Sequence, residues 1–136
     1  MKQVTKKWAL QLMLGLLIAV VIFHLAIITR LIPHDIVWAG KLKTLEEMYQ
    51  LEAVSIAINL FLITLLILKG RSVAGTQRDK ILNIILWLFI LLFAANTIGN
   101  LMARTLFEKL VFTPLTFLFT LLLWKIIKKE TPTYER

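Results

Sequence analysis

Glu52, Ser55 and Asn59 recur at i, i+3 and i+7, a spacing that puts all three on one face of a helix. Asn96, Asn100 and Arg104 repeat at successive i+4 positions, and Thr113, Thr116 and Thr120 again follow i, i+3 and i+7. His24 stands alone in an otherwise apolar run. In a low-dielectric setting such residues have definite uses: a carboxylate and an imidazole carry protons, a guanidinium orients an anionic group, and asparagines hydrogen-bond between helices.

The elements that must position them are four apolar stretches flanked by charge: Trp8–Thr29, Leu51–Leu68, Ile81–Ala103 and Leu110–Trp124. At a rise of about 1.5 Å per residue, the first three cross a hydrocarbon core of about 30 Å. The fourth covers only about 22 Å, so Lys109 and Lys125 are expected to snorkel from its ends, or the bilayer to thin. The expected fold is all-α, an antiparallel four-helix transmembrane bundle with spans at about 8–31, 45–68, 81–103 and 108–128. No repeat or long linker interrupts the chain, so residues 1–136 read as a single transmembrane domain. A composition 59% hydrophobic leaves almost nothing for a soluble domain.

The net charge of +8 reads as topology, with no nucleic acid expected as a partner. Eleven Lys and Arg lie in the amino tail, the 69–80 linker and the carboxyl tail, against five on the other side. The positive-inside rule then puts both termini in the cytoplasm, in a bacterial inner membrane. The cytoplasmic basic clusters would sit against anionic lipids. Lys2, Lys6 and Lys7 precede the first apolar run as in a signal peptide, but the run is too long and lacks a close cleavage site, so it is expected to stay as an anchor. Trp8 and Trp124 fall near the cytoplasmic interface and Trp38 near the outer one.

On the outer side, Thr44 and Glu47 have the spacing of a capping box. Pro114 is expected to open span four, with a kink as the alternative. Ile36, Val37, Trp38 and Leu42 are expected to dip into the interface or lid the bundle.

His24 lies about 24 Å up the first helix from Trp8, at the outer depth shared by Glu52, Ser55, Asn59, Asn96, Asn100 and Arg104. Polar groups in hydrocarbon are costly, so they are expected to face inward and meet. Glu52 should pair with Arg104 or Arg30, and the three asparagines should bond between helices. Ala95, Gly99 and Ala103 offer a small-residue face for close approach. Glu52, Asn59, Asn96, Asn100, Arg104 and His24 are therefore the expected lining of a polar, ligand-binding pocket in the outer half.

Two roles outside binding stand beside this one. The first is an enzyme acting on a lipid or amphipath, with Glu52 or His24 as acid or base; the second is a structural or accessory subunit. For transport, Glu52 would be the proton-coupled carboxylate and further copies of the chain the expected partners. No catalytic motif is present, thiol chemistry is excluded by the lack of cysteine, and no metal or other cofactor is expected.

The segments WAGKLKTLEEMYQLEAVSIAIN and NTIGNLMARTLFEKLVFTPLT resemble a group of small uncharacterised bacterial four-span integral membrane proteins. That resemblance covers most of the chain and implies the architecture, with no established activity. The size and basic balance are also similar to those of small four-helix eicosanoid and glutathione enzymes of membranes, but their Arg/Asn/Glu pattern is not intact here, so this likeness is one of architecture alone.

Overall fold

The computed structural model describes residues 2–37 and 42–128, with side chains from residue 5 onward. Trp38, Gly40, Lys41 and the tail from Lys129, which carries Glu130, Glu135 and Arg136, lie outside the described residues. The described chain is all-helical: α1 Lys2–Ile28, α2 Leu45–Gly70, α3 Gln77–Leu101 and α4 Thr113–Ile127, with a short 3-10 turn at His34–Ile36 and a π turn at Glu108–Phe112. All four, the last taken together with the π turn, are long and apolar enough to cross a membrane, and no strand is present among the described residues. Large apolar side chains such as Ile84, Leu88, Leu91 and Leu110 face outward. A helix that is apolar on every side has its low-energy place in lipid.

The starts of α2, α3 and the helical stretch that leads through the π turn into α4 share one device. Thr44, Thr76 and Thr105 accept the backbone N–H of Glu47, Asp79 and Glu108, at 3.1, 3.3 and 3.3 Å. The hydroxyl satisfies one of the N–H groups that the first helical turn leaves unpaired, and the acid three residues on complements the positive end of the helix. At α2 the reciprocal bond of a capping box is displaced by one residue, because the Glu47 carboxylate accepts from Lys43 N at 3.0 Å.

The fourth span, expected at about 108–128, runs beyond its uncharged stretch Leu110–Trp124 at both ends. The π turn joins α4 and extends the span to Glu108–Ile127, 20 residues, with Lys109 and Lys125 near its two ends, where their side chains can snorkel. In a regular helix Pro114 would clash with the carbonyl of Leu110. The wider turn just before it shifts the pairing, with Thr113 N bonding to Glu108 O, so the proline sits within a continuous helical path.

Helix α1 stops at Ile28, with Arg30 N bonding to Ile27 O and Leu31 N to Ala26 O, a Schellman closure. That closure puts Arg30 at φ 61°, the left-handed region that glycine usually fills. The connection beyond it packs down: Val37 is buried with Ile27 and Met48, and Ile36 and Leu42 lean on the same cluster. Thr105 of the α3–α4 connection hydrogen-bonds to Ile36 O at 3.0 Å, so the two connections meet.

The larger of the two apolar clusters draws on all four helices. Met13 and Leu17 of α1 meet Leu62 and Leu66 of α2, Leu86 and Phe93 of α3, and Phe119 and Leu123 of α4. It occupies the half of the bundle nearer the short α2–α3 linker. There Asp79 is buried, in an ion pair with Lys69, while its carboxylate also accepts from Ser72 Oγ at 3.0 Å and Gly75 N at 3.3 Å. Lys69 and Asp79, read as topology charges, thus clasp the linker closed. Gly75, at φ 82°, supplies the backbone the turn needs.

Three stability predictions follow from these ends. Arg30→Gly relieves a left-handed arginine and should stabilise the protein by about 1 kcal/mol in reversible unfolding measurements. Asp79→Ala removes a carboxylate that accepts three hydrogen bonds and should cost about 1.5–3 kcal/mol. Arg78→Ala, one residue away and exposed, should change stability by no more than about 0.5 kcal/mol.

Candidate functional site

Beyond the apolar core, the C-terminal halves of α1 and α3 face the N-terminal halves of α2 and α4 across a cavity of about 410 Å³. Residues from every helix line it, and the walls are largely apolar. His24 comes from α1, Glu52, Ser55 and Asn59 from α2, Asn96 and Asn100 from α3, Glu108 from the π turn and Thr116 from α4. Five of the six residues singled out by spacing, His24, Glu52, Asn59, Asn96 and Asn100, therefore border one space. Val37 closes it on the side of the connections, and Phe93 and Phe119 on the side of the core.

The central contact joins α1 to α2. His24 Nδ1 lies 2.5 Å from Glu52 Oε2, and Glu52 is fully buried. The contact joins an imidazole nitrogen to a carboxylate oxygen, with the direction of donation set by the tautomer of the ring. The His24 ring is itself held edge-on by Phe23, which packs against Phe107 and Phe112. An aromatic cluster thus fixes the imidazole, and the imidazole faces the carboxylate.

This contact replaces the expected pairing of Glu52 with Arg104 or Arg30. Both arginines are exposed, and neither forms an ion pair among the described residues. Arg104 also lies outside the cavity lining. The cause is local: α3 ends at Leu101, so the i+4 stripe through Asn96 and Asn100 is broken before it reaches position 104. Keeping a strongly charged guanidinium at the surface avoids its desolvation.

The asparagines also bond differently from expectation. Asn59 donates to Ser55 O of its own helix at 2.7 Å, and Asn96 makes no side-chain hydrogen bond among the described residues. Only Asn100 reaches another helix, with Nδ2 3.5 Å from Thr116 Oγ1. The firm polar tie between α3 and α4 is instead Thr97 to Thr116, oxygen to oxygen 2.9 Å. Gly99 does not serve close packing, because a Cβ built there meets nothing within 4 Å, and Ala95 is exposed beside it.

Glu108 is the residue that reading by depth left out of the pocket. It is buried, lines the cavity and has Oε2 2.7 Å from the Thr105 hydroxyl. The Thr105-x-x-Glu108 spacing carried the signal, since a capping threonine three residues ahead makes the acid part of a helix's first turn. His34 stays on its connection, 3.4 Å from Asp35, and the described residues include no cluster of three or more groups able to hold a metal.

These contacts rank two substitutions. Thr116→Val removes the shared hydroxyl between α3 and α4 and should cost about 0.6–1.7 kcal/mol in bicelle or nanodisc unfolding. Arg104→Ala should fall within about 0.5 kcal/mol of wild type. Were Arg104 the buried partner of Glu52, its loss would cost about 3–5 kcal/mol.

Comparison with protein-family models, with curated proteins and with solved structures finds no match to the chain, so its function is read from this geometry.

Proposed function

We propose that the chain is a multi-pass protein of a bacterial cytoplasmic membrane, with antiparallel helices, both termini and the α2–α3 linker in the cytoplasm, and a ligand pocket in its outer half. The role is binding or transport-related, and the ligand is a small amphipathic molecule. What carries this reading is the cavity between the helices, bordered by the buried His24–Glu52 contact and by Asn59, Asn96, Asn100 and Glu108. Its volume falls in the range of about 300–1,000 Å³ found for small-molecule sites, and such sites combine apolar walls with a few placed polar groups.

The cavity is blind toward the α2–α3 linker. Met13, Leu17, Leu66, Leu86 and Leu123 fill that half of the bundle. A permanent aqueous pore would need polar groups along its length, so binding or alternating access is favoured over a channel. The polar residues also serve packing, as Thr97 and Thr116 do, yet Asn96 borders the cavity without any hydrogen bond to a described residue.

Two experiments check the reading. For topology, the cysteine-free chain allows single-cysteine variants. Leu31→Cys should react with a membrane-impermeant maleimide in intact cells, and Ala74→Cys only after permeabilisation; the reverse pattern overturns the orientation. For the pocket, a panel of lipids and amphipaths is tested for thermal protection of nanodisc-held protein, because a ligand that binds the folded state raises the midpoint. Protection of wild type that is lost in Glu52→Gln is expected. No protection by any compound, with a lower midpoint for the variant, would mean that the polar residues only hold helices together.

A further inference from the structure

The cavity has a side opening. Val54 and Ile58 of α2 and Leu92 of α3 line it and are also exposed, at 54%, 40% and 40%. Helices α2 and α3 touch sparingly, whereas α1 packs closely on α2 and α3 on α4. The gap between α2 and α3 therefore opens through an apolar rim, on a surface that would face acyl chains. A ligand using this route comes from the bilayer and keeps an apolar body in the gap.

The charges inside select the other end of that ligand. Two carboxylates, Glu52 and Glu108, border the cavity, and the described lining contains no Lys or Arg. The two arginines nearest in sequence to this end of the bundle, Arg30 and Arg104, are exposed on the connections. An anionic head group would be brought beside two acids in a low-dielectric space, where like charges repel strongly. An ammonium group brings three N–H donors and a compensating charge. An ionised carboxylate has about four acceptor sites, so a contact such as that of His24 with Glu52 or of Thr105 with Glu108 does not by itself keep an ammonium from the same acid.

We propose that the cavity takes a lipophilic amine, admitted sideways between α2 and α3, with its ammonium head at Glu52 and Glu108 and its alkyl body between Val54, Ile58 and Leu92. This rests on the reading of the cavity as a ligand pocket. It differs from that reading in fixing both the charge of the head and the direction of access.

The test uses three probes of equal chain length, dodecylamine, dodecanol and dodecanoic acid, with the full chain in phosphatidylcholine nanodiscs and the unfolding midpoint as readout. Wild type should be raised by the amine and left unmoved by the alcohol and the acid. The amine shift should be lost in Glu108→Gln, which keeps the size of the side chain. It should also be lost in Ile58→Trp, which narrows the opening without touching a charge and serves if Glu108→Gln does not fold. Protection by the acid or the alcohol equal to or above that by the amine overturns the amine proposal and leaves the pocket standing. An amine shift unchanged in both variants is a bilayer effect and also overturns it. No shift with any of the three, or with the wider lipid panel, overturns the pocket reading together with this one.

Discussion

A carboxylate fully buried among helices that are apolar on every side is the constraint on which the rest of this structure turns. Glu52 cannot face hydrocarbon without a large cost, and it meets His24 of the neighbouring helix. That contact sets the rotation of α1 against α2, because only one face of each helix carries the group. With α2 so turned, Ser55 and Asn59 follow Glu52 onto the same side, one and two turns further along. The cavity lining is therefore a geometric consequence of a single polar pairing plus helical periodicity.

The pattern of close and loose packing follows from the same economy of polar groups. Helices α1 and α2 are tied by His24–Glu52, and α3 and α4 by Thr97–Thr116. At the opposite end, the Lys69–Asp79 pair closes the short linker and holds the ends of α2 and α3 together. No comparable tie joins α2 to α3 in the cavity half among the described residues, and there the two helices diverge enough to leave space. The apolar core, concentrated toward the linker, gives the bundle its rigidity and seals the cavity from that side. Function, in this arrangement, is available only where packing is incomplete.

Much of this was legible in the chain. The four helices follow from apolar runs and charge, and the common depth of His24, Glu52, Asn59, Asn96 and Asn100 follows from a fixed rise per residue. The Thr44 cap was also readable, and the same spacing at Thr76 and Thr105 would have revealed the starts of α3 and of the fourth span, with Glu108 inside it. Partner choice was not legible. Periodicity gives a face and a depth, but whether Glu52 meets a histidine or an arginine depends on where α3 stops, and Met102 and Ala103 leave the helix just before Arg104. The π turn ahead of Pro114 was likewise hidden, because the proline announces a local disturbance without saying whether the helix ends, kinks or widens. Asp79 looked like one cytoplasmic acid among many basic residues, and only the fold of the linker brings Lys69, Ser72 and Gly75 to it.

The coupling between positions 24 and 52 tests the central interaction most directly. Unfolding free energies of His24→Phe, Glu52→Leu and the double variant, measured reversibly in one bilayer mimic, form a double-mutant cycle. Residues in direct contact within one polar network couple by about 0.5–3 kcal/mol. A coupling in that range, with the double variant less destabilised than the sum of the single ones, is the predicted result. Additive single effects would contradict it, since Glu52 would then have no energetic need of His24 and the registry of α1 on α2 would rest on other contacts.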